Sequence, residues 1–222
     1  MKSIRLLSLF LVGASGFLPT LDTTGSLAAS DCHSLQAISV DLFAASDIRD
    51  SLVSRVRAET DAIWKPADIA FDWHRVTSTE ASGQRHLAVT IVTGGRGVAG
   101  SHATLGRITF TPEGPDRSIH LSLAGIEDLL LLTDGVGSTT ITHEILVGRA
   151  LGRALSHELG HYLLKSRAHT SHGLMRADWP SSELFAFNRG GFELSPEERK
   201  AAARNIVLGE AAEYPMSVRP LR

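Results

Sequence analysis

The segment His157-Glu158-Leu159-Gly160-His161 constrains the fold of this chain more than any other part of its sequence. It lies late in an apolar-periodic stretch, residues 146–164, whose leucines recur at helical spacing and predict a helix. Histidines four residues apart on a helix share one face, about 40° apart around the axis and roughly 6 Å apart along it. Both imidazoles can therefore reach one metal ion, and the Glu158 carboxylate beside them can contact a water molecule on that metal without being a ligand.

A motif with three specified residues in five positions also occurs by chance. The surroundings of the motif therefore decide between a metal site and ordinary surface histidines. A nearby pair, His143-Glu144, has no histidine at the fifth place, and we interpret it as a chance pair on the same helix. Two further histidines, His169 and His172, follow the motif directly. Several candidate ligands within one short stretch favour the metal site.

The stretch from His157 to Met175 resembles the metzincin clan of zinc metalloproteases. Those enzymes carry His-Glu-x-x-His, a glycine three residues on, a third histidine three residues further, and a methionine-containing turn beneath the metal. Here Leu164 and Arg167 stand at the glycine and third-histidine positions, and Gly173-Leu174-Met175 resembles the methionine turn. Without that glycine, we expect the helix to continue to about residues 165–166 before the chain turns.

The third ligand that the resemblance implies is assigned to His169. The first two ligands fix the metal beside the last turns of the helix, so a single turn of the chain can bring His169 back to it. His172 and Glu183 are the alternatives. His172 adjoins the methionine turn and has less freedom to reach the metal. Glu183 lies about as far beyond the motif in the sequence as the glutamate ligand does in another group of zinc proteases, the gluzincins.

The resemblance implies a secreted zinc-dependent peptidase. Three protein ligands leave one position on Zn2+ for water, and Glu158 would accept the proton of that water as it attacks the scissile carbonyl, then pass the proton to the leaving amine. Arg176 and Tyr162 are candidates for a further donor to the oxyanion. The resemblance also implies that a peptide or protein substrate binds as an added strand along a sheet edge, which here would be Gly106–Thr111.

Two other functions remain open at this point. A zinc hydrolase of this type could act on a different amide, such as a peptidoglycan bond. Alternatively, a zincin-like binding domain could keep the metal as a structural clip without catalysis. The presence of Glu158 disfavours the binding domain, because a purely structural site does not need that base.

The N-terminal segment has the pattern of a secretory signal peptide, with a short basic start, an apolar run over residues 6–18 and small residues just before position 31. We therefore expect residues 1–30 to be a signal peptide and residues 31–222 to form a single zincin-like catalytic domain, secreted or periplasmic, with no membrane insertion after processing. The single cysteine, Cys32, excludes an internal disulfide. A net charge of −2 without a basic face disfavours a nucleic-acid partner, and we expect a monomer.

Periodicity along the rest of the chain predicts an α+β fold. The predicted order is strand, helix, four strands, metal helix, irregular segment and C-terminal helix, with the last of the four strands at residues 119–123. This is the order of a metzincin-like zincin domain, in which a twisted mixed sheet packs on an N-terminal helix and on the long motif helix. Ser46 is a candidate cap for the first helix. Ser195-Pro196-Glu197-Glu198 predicts a capping box that opens the last helix, which we expect to end near Leu208.

Overall fold

The computed structural model describes residues 37–77, 86–93, 104–134 and 139–213. The predicted signal peptide and Cys32 lie outside these ranges. Within them, the chain forms five strands, five α-helices and a short 3-10 helix, Lys65–Ala67. The strands are β1 (Ala37–Ala44), β2 (Ala70–Val76), β3 (Leu87–Val92), β4 (Gly106–Thr111) and β5 (Gly114–Ser122). The helices are α1 (Asp50–Trp64), α2 (Leu123–Asp134), α3 (Thr140–Leu164), α4 (Ser181–Leu184) and α5 (Pro196–Glu213). None of the helices in the described ranges combines the length and the apolar character that crossing a membrane requires.

The strands form one mixed sheet with the spatial order β2-β1-β3-β5-β4. Strands β2, β1, β3 and β5 run parallel, whereas β4 pairs with β5 in the antiparallel sense. The antiparallel pair places Ile108 opposite Ile119, and its register shifts between Ile108 and Phe110. Because β4 is the last strand of the sheet, one of its backbone edges has no partner strand within the described part of the chain.

The core lies between the sheet and helices α1 and α3. Alternate residues of β1, Val40 and Leu42, are almost fully buried there, as the period-two pattern of a strand requires. Helix α3 contributes one fully buried leucine per turn to the same core, namely Leu151, Leu155 and Leu159. Helices α1 and α3 approach closely because Gly152 faces Glu59, where a Cβ on the glycine would lie 2.6 Å from the Cβ of the glutamate.

The long motif helix begins before the apolar-periodic stretch and ends close to the expected residues. Thr139 is its N-cap and accepts a hydrogen bond from the N–H of Thr142. The helix ends at Leu164, slightly earlier than expected, because Lys165 adopts the left-handed conformation at φ 50°. A residue in this conformation terminates a helix and turns the chain away from the axis.

The capping box of the last helix is confirmed. The N–H of Ser195 donates to the Glu198 carboxylate at 2.7 Å, and the N–H of Glu198 donates to Ser195 Oγ at 3.1 Å. The α+β arrangement of a mixed sheet, an N-terminal helix, a long motif helix and a C-terminal helix is confirmed as well.

Three local predictions are wrong. Ser46 does not cap α1, because that helix begins at Asp50 with Arg49 in the N-cap position and no side-chain cap. Residues 119–122 form the end of β5, but the chain then enters helix α2, which was not predicted. Helix α5 continues to Glu213 instead of ending near Leu208.

Candidate metal centre

Helix α3 presents His157, Glu158 and His161 near its C-terminal end, and their exposed fractions are only 7%, 8% and 6%. The left-handed Lys165 then reverses the chain directly after the helix. This reversal brings His169 back to the two helical histidines. One potential ligand atom from each of the three histidines lies within 4.8 Å of the others.

Two backbone carbonyls orient the helical histidines. Nδ1 of His157 lies 2.9 Å from the carbonyl oxygen of Leu174, and Nδ1 of His161 lies 2.7 Å from that of Ser166. A carbonyl only accepts, so each Nδ1 must carry the hydrogen and donate it. We therefore assign the Nδ1–H tautomer to both neutral rings, which leaves the lone pair on each Nε2.

The two Nε2 atoms lie 3.0 Å apart. Burial lowers the pKa of His157 to about 4 and also lowers the pKa of His161, so both rings are neutral near pH 7. Two lone pairs at this distance repel unless a cation lies beside both of them. Nitrogen ligands of a tetrahedral zinc ion, with bonds of about 2.0 Å, lie about 3.3 Å apart. The residues present therefore fit zinc in ligand type, protonation state and spacing.

His169 completes the cluster, whereas the two alternatives for the third ligand lie in other environments. The ring centroid of His169 lies 5.3 Å from that of His157 and 4.9 Å from that of His161. His172 is exposed, and its Nδ1 lies 3.0 Å from the hydroxyl of the residue before it. Glu183 forms an ion pair with Arg176. Among the described residues, only the cluster with His169 has the spacing of a three-ligand site.

The turn that resembles the methionine turn lies directly beneath the motif. Met175 is 1% exposed, and a Cβ on Gly160 would lie 2.2 Å from its sulfur, so a larger residue at position 160 would displace the methionine side chain. Gly173 has φ 76°, and the next residue, Leu174, donates its N–H to the carbonyl of Glu193 at 2.9 Å. This turn therefore supports the helix from below and aims the Leu174 carbonyl at His157.

Glu158 lies between α3 and the edge strand β4. Burial raises the pKa of its carboxyl to about 7, and a hydrogen bond donated by the backbone N–H of Ile108 partly offsets that rise. A Cβ on Gly106 would lie 2.8 Å from Glu158 Cγ and 2.9 Å from Oε1. The carboxylate is thus packed against bare backbone of the edge strand, beside the histidine cluster.

A cleft of about 720 Å³ follows β4 and contains all three histidines and Glu158 in its lining. The lining includes the apolar residues Leu105, Leu129, Ala154 and Leu184, and near the start of β4 it also contains Thr104 and Arg107. Towards the end of β4 it contains Phe110, whose ring centroid lies 6.4 Å from that of His161, and Arg167. The cleft therefore has a cation near each end of β4, Arg107 and Arg167, with the histidine cluster between them, and Asp178 is a further charged residue of its lining.

The two proposed oxyanion donors do not line this cleft. The guanidinium of Arg176 forms an ion pair with Glu183, and Tyr162 packs against the core. Trp179 is one of the cleft residues that the sequence did not indicate, and it meets the His157 ring edge-on with centroids 4.9 Å apart. No spacing rule connects Trp179 to the motif, so no sequence pattern pointed to it.

A buried ion pair supports the wall of the cleft one turn before the motif. Arg153 is fully buried, and its guanidinium donates to Glu59 at 3.0 Å and to the Leu184 carbonyl at 3.0 Å. The other oxygen of Glu59 accepts from Arg189 at 2.8 Å. Arg153 thereby ties helix α1 to the segment that contains Leu184.

Neither a protein-family model nor a curated protein sequence matches this chain. Its structure is similar to that of archaemetzincin from Methanopyrus kandleri, with a TM-score of 0.50 and 14% sequence identity over 77% of this chain and 96% of that protein. At this identity the likeness shows the fold. The metzincin-like zincin fold that the motif predicted is thus confirmed: this chain has the architecture of a zincin domain.

Proposed function

We propose that this chain is a zinc-dependent metallopeptidase that hydrolyses peptide bonds in peptide or protein substrates. The observation that carries the proposal is the geometry of His157 and His161. Their Nε2 atoms lie 3.0 Å apart, and two backbone carbonyls hold the rings in this orientation. His157, His161 and His169 would hold the zinc, and Glu158 lies next to them against β4. When bound, zinc supplies a Lewis acid that activates water and polarises a carbonyl group.

Glu158 is the residue that we propose as general base and acid. Its raised pKa of about 7 lets one carboxyl group accept and return a proton near neutral pH. It would take a proton from the attacking water at one carboxylate oxygen and pass it to the leaving amine. The Ile108 N–H holds the other side of the carboxylate, so the group is oriented before substrate binds.

Strand β4 is the proposed binding edge for the substrate backbone. An extended peptide can add to an unpaired sheet edge through main-chain hydrogen bonds, while side pockets select its side chains. The cleft runs along this edge and contains the histidine cluster.

Export to a secreted or periplasmic location, a monomeric state and the absence of a nucleic-acid partner are part of the same proposal. They rest on the sequence patterns alone. A zinc hydrolase of another amide, such as a peptidoglycan bond, and a non-catalytic zincin-like binding domain are the competing functions that the experiment has to separate.

The test combines metal analysis with digestion of a diverse peptide mixture, with and without a chelator. We expect about one zinc per chain, chelator-sensitive cleavage, and loss of cleavage but not of zinc in Glu158→Gln. Cleavage of peptidoglycan fragments but not of peptides would favour the other amide. Bound zinc without hydrolysis of either substrate would favour the binding domain.

A further inference from the structure

Arg167 is a fixed cation in the cleft. Its guanidinium donates to the carbonyl oxygen of Phe110 at 3.0 Å and lies 4.8 Å from the centroid of the Phe110 ring. These two contacts hold a long side chain that is otherwise exposed. A guanidinium has five N–H donors, so several remain for another acceptor. Within the described residues Arg167 forms no ion pair.

The position of Arg167 along the cleft follows from the direction of β4. Gly106 and Ile108 contact Glu158, the group proposed to handle the proton, and Phe110 lies further on beside His161. A strand advances about 3.3 Å per residue, so Phe110 and Arg167 lie about two residues away from the Glu158 contact along β4.

The direction of the bound peptide decides which of its residues reaches Arg167. Antiparallel pairing is the more stable arrangement per residue, and β4 already accepts an antiparallel partner on its other edge. In that arrangement the N-terminal part of the substrate lies towards the end of β4. Arg167 then faces a substrate side chain about two residues before the scissile bond.

We propose that Arg167 selects substrates with an aspartate or glutamate about two residues N-terminal to the scissile bond. The inference rests on the proposed peptidase function and names its substrate class. A planar guanidinium presents paired donors that match the two oxygens of a carboxylate. The Phe110 contacts fix the arginine in advance, so less side-chain freedom is lost when the carboxylate binds.

The experiment measures kcat/KM for quenched fluorescent peptides with blocked ends, in which glutamate, glutamine or lysine is moved through three positions on each side of the scissile bond. The parent protein should prefer glutamate over glutamine about two- to fivefold at the second position before the bond. Arg167→Gln should abolish this ratio, Arg167→Lys should keep part of it, and Arg167→Glu should favour lysine instead. Arg204→Gln, which removes an exposed arginine from α5, should keep the parent ratio.

An equal rate for the glutamate and glutamine peptides in the parent protein would overturn the proposal, and so would a preference that survives Arg167→Gln. A glutamate preference only after the scissile bond would overturn the assigned strand direction and with it the proposed position. Failure of the peptidase function itself appears differently, as no chelator-sensitive cleavage of any peptide. In that case, binding of the glutamate and glutamine peptides to zinc-loaded Glu158→Gln still decides whether Arg167 recognises the carboxylate.

Discussion

Replacing Glu158 with glutamine should stabilise the metal-free chain at alkaline pH and have little effect at acidic pH. The pKa of this carboxyl is raised from 4.5 to about 7 because burial disfavours its charged form. The unfolded chain therefore loses the proton at a lower pH than the folded chain does. As pH rises from 4.5 through 7, folding becomes progressively less favourable because a charge must be buried.

The magnitude follows from the two pKa values. The difference between 4.5 and about 7 corresponds to about 3 kcal/mol of destabilisation once the pH exceeds both values. At pH 5 less than about 1 kcal/mol of this cost is present. Glutamine keeps an acceptor for the Ile108 N–H but never becomes charged, so the variant avoids the whole cost. Any packing defect of the amide contributes equally at both pH values.

The assay is urea denaturation of the parent and Glu158→Gln at pH 5 and pH 8, with a chelator present throughout. The stability gained by the variant should be about 2 kcal/mol larger at pH 8 than at pH 5. His157 has the opposite pH dependence, because its lowered pKa removes stability as pH falls from 6.5 towards 4, but both proteins share it. Asp128→Asn, at an exposed position on α2, controls for general charge effects. The same gain at both pH values would refute the buried-charge explanation.

Three further outcomes are expected. His169→Ala should lose most of the bound zinc in elemental analysis while His172→Ala keeps it, and the reverse result would show that the returning segment is placed wrongly. Gly106→Ala should retain zinc but lower kcat at least about tenfold, because the new methyl group displaces the Glu158 carboxylate; an unchanged kcat would contradict that contact. Arg153→Met should lower the free energy of unfolding by about 3–5 kcal/mol in urea titration, because it breaks a buried ion pair, and a change below about 1 kcal/mol would contradict it.

Helix ends were predictable where one short segment contains both the donor and the acceptor. The capping box at Ser195 and Glu198 needs only residues three apart, and it forms as the sequence indicated. Ser46 shows the limit of such a signal, since a serine before an apolar pattern caps nothing when the helix starts four residues later. A local pattern proposes a cap, but the path of the preceding strand decides which residue occupies the position.

Helix α2 was not predicted, because its local sequence pattern does not indicate a helix. Its sequence is rich in consecutive leucines and has no clear helical period, and only its first residue, Leu123, was included in a prediction, as the end of a strand. The usable signal was Ser122, whose Oγ accepts a hydrogen bond from the N–H of Gly125 at 3.0 Å and so caps the helix. Ser122 is also the last residue of β5, and α2 begins at the next residue without an intervening glycine or proline, so the change from strand to helix is abrupt.

The candidate metal centre combines a local pattern with contacts that no sequence window contains. The spacing of His157 and His161 places two nitrogens on one face, but each ring can still turn about its own bonds. What fixes the two rings are carbonyls from Ser166 and Leu174, which belong to the chain after the helix. Leu174 is in turn held in place by a hydrogen bond from its N–H to the carbonyl of Glu193, which lies more than thirty residues beyond the motif. The identity of the two helical candidate ligands is thus encoded locally, whereas the orientation of their rings is set by the tertiary fold.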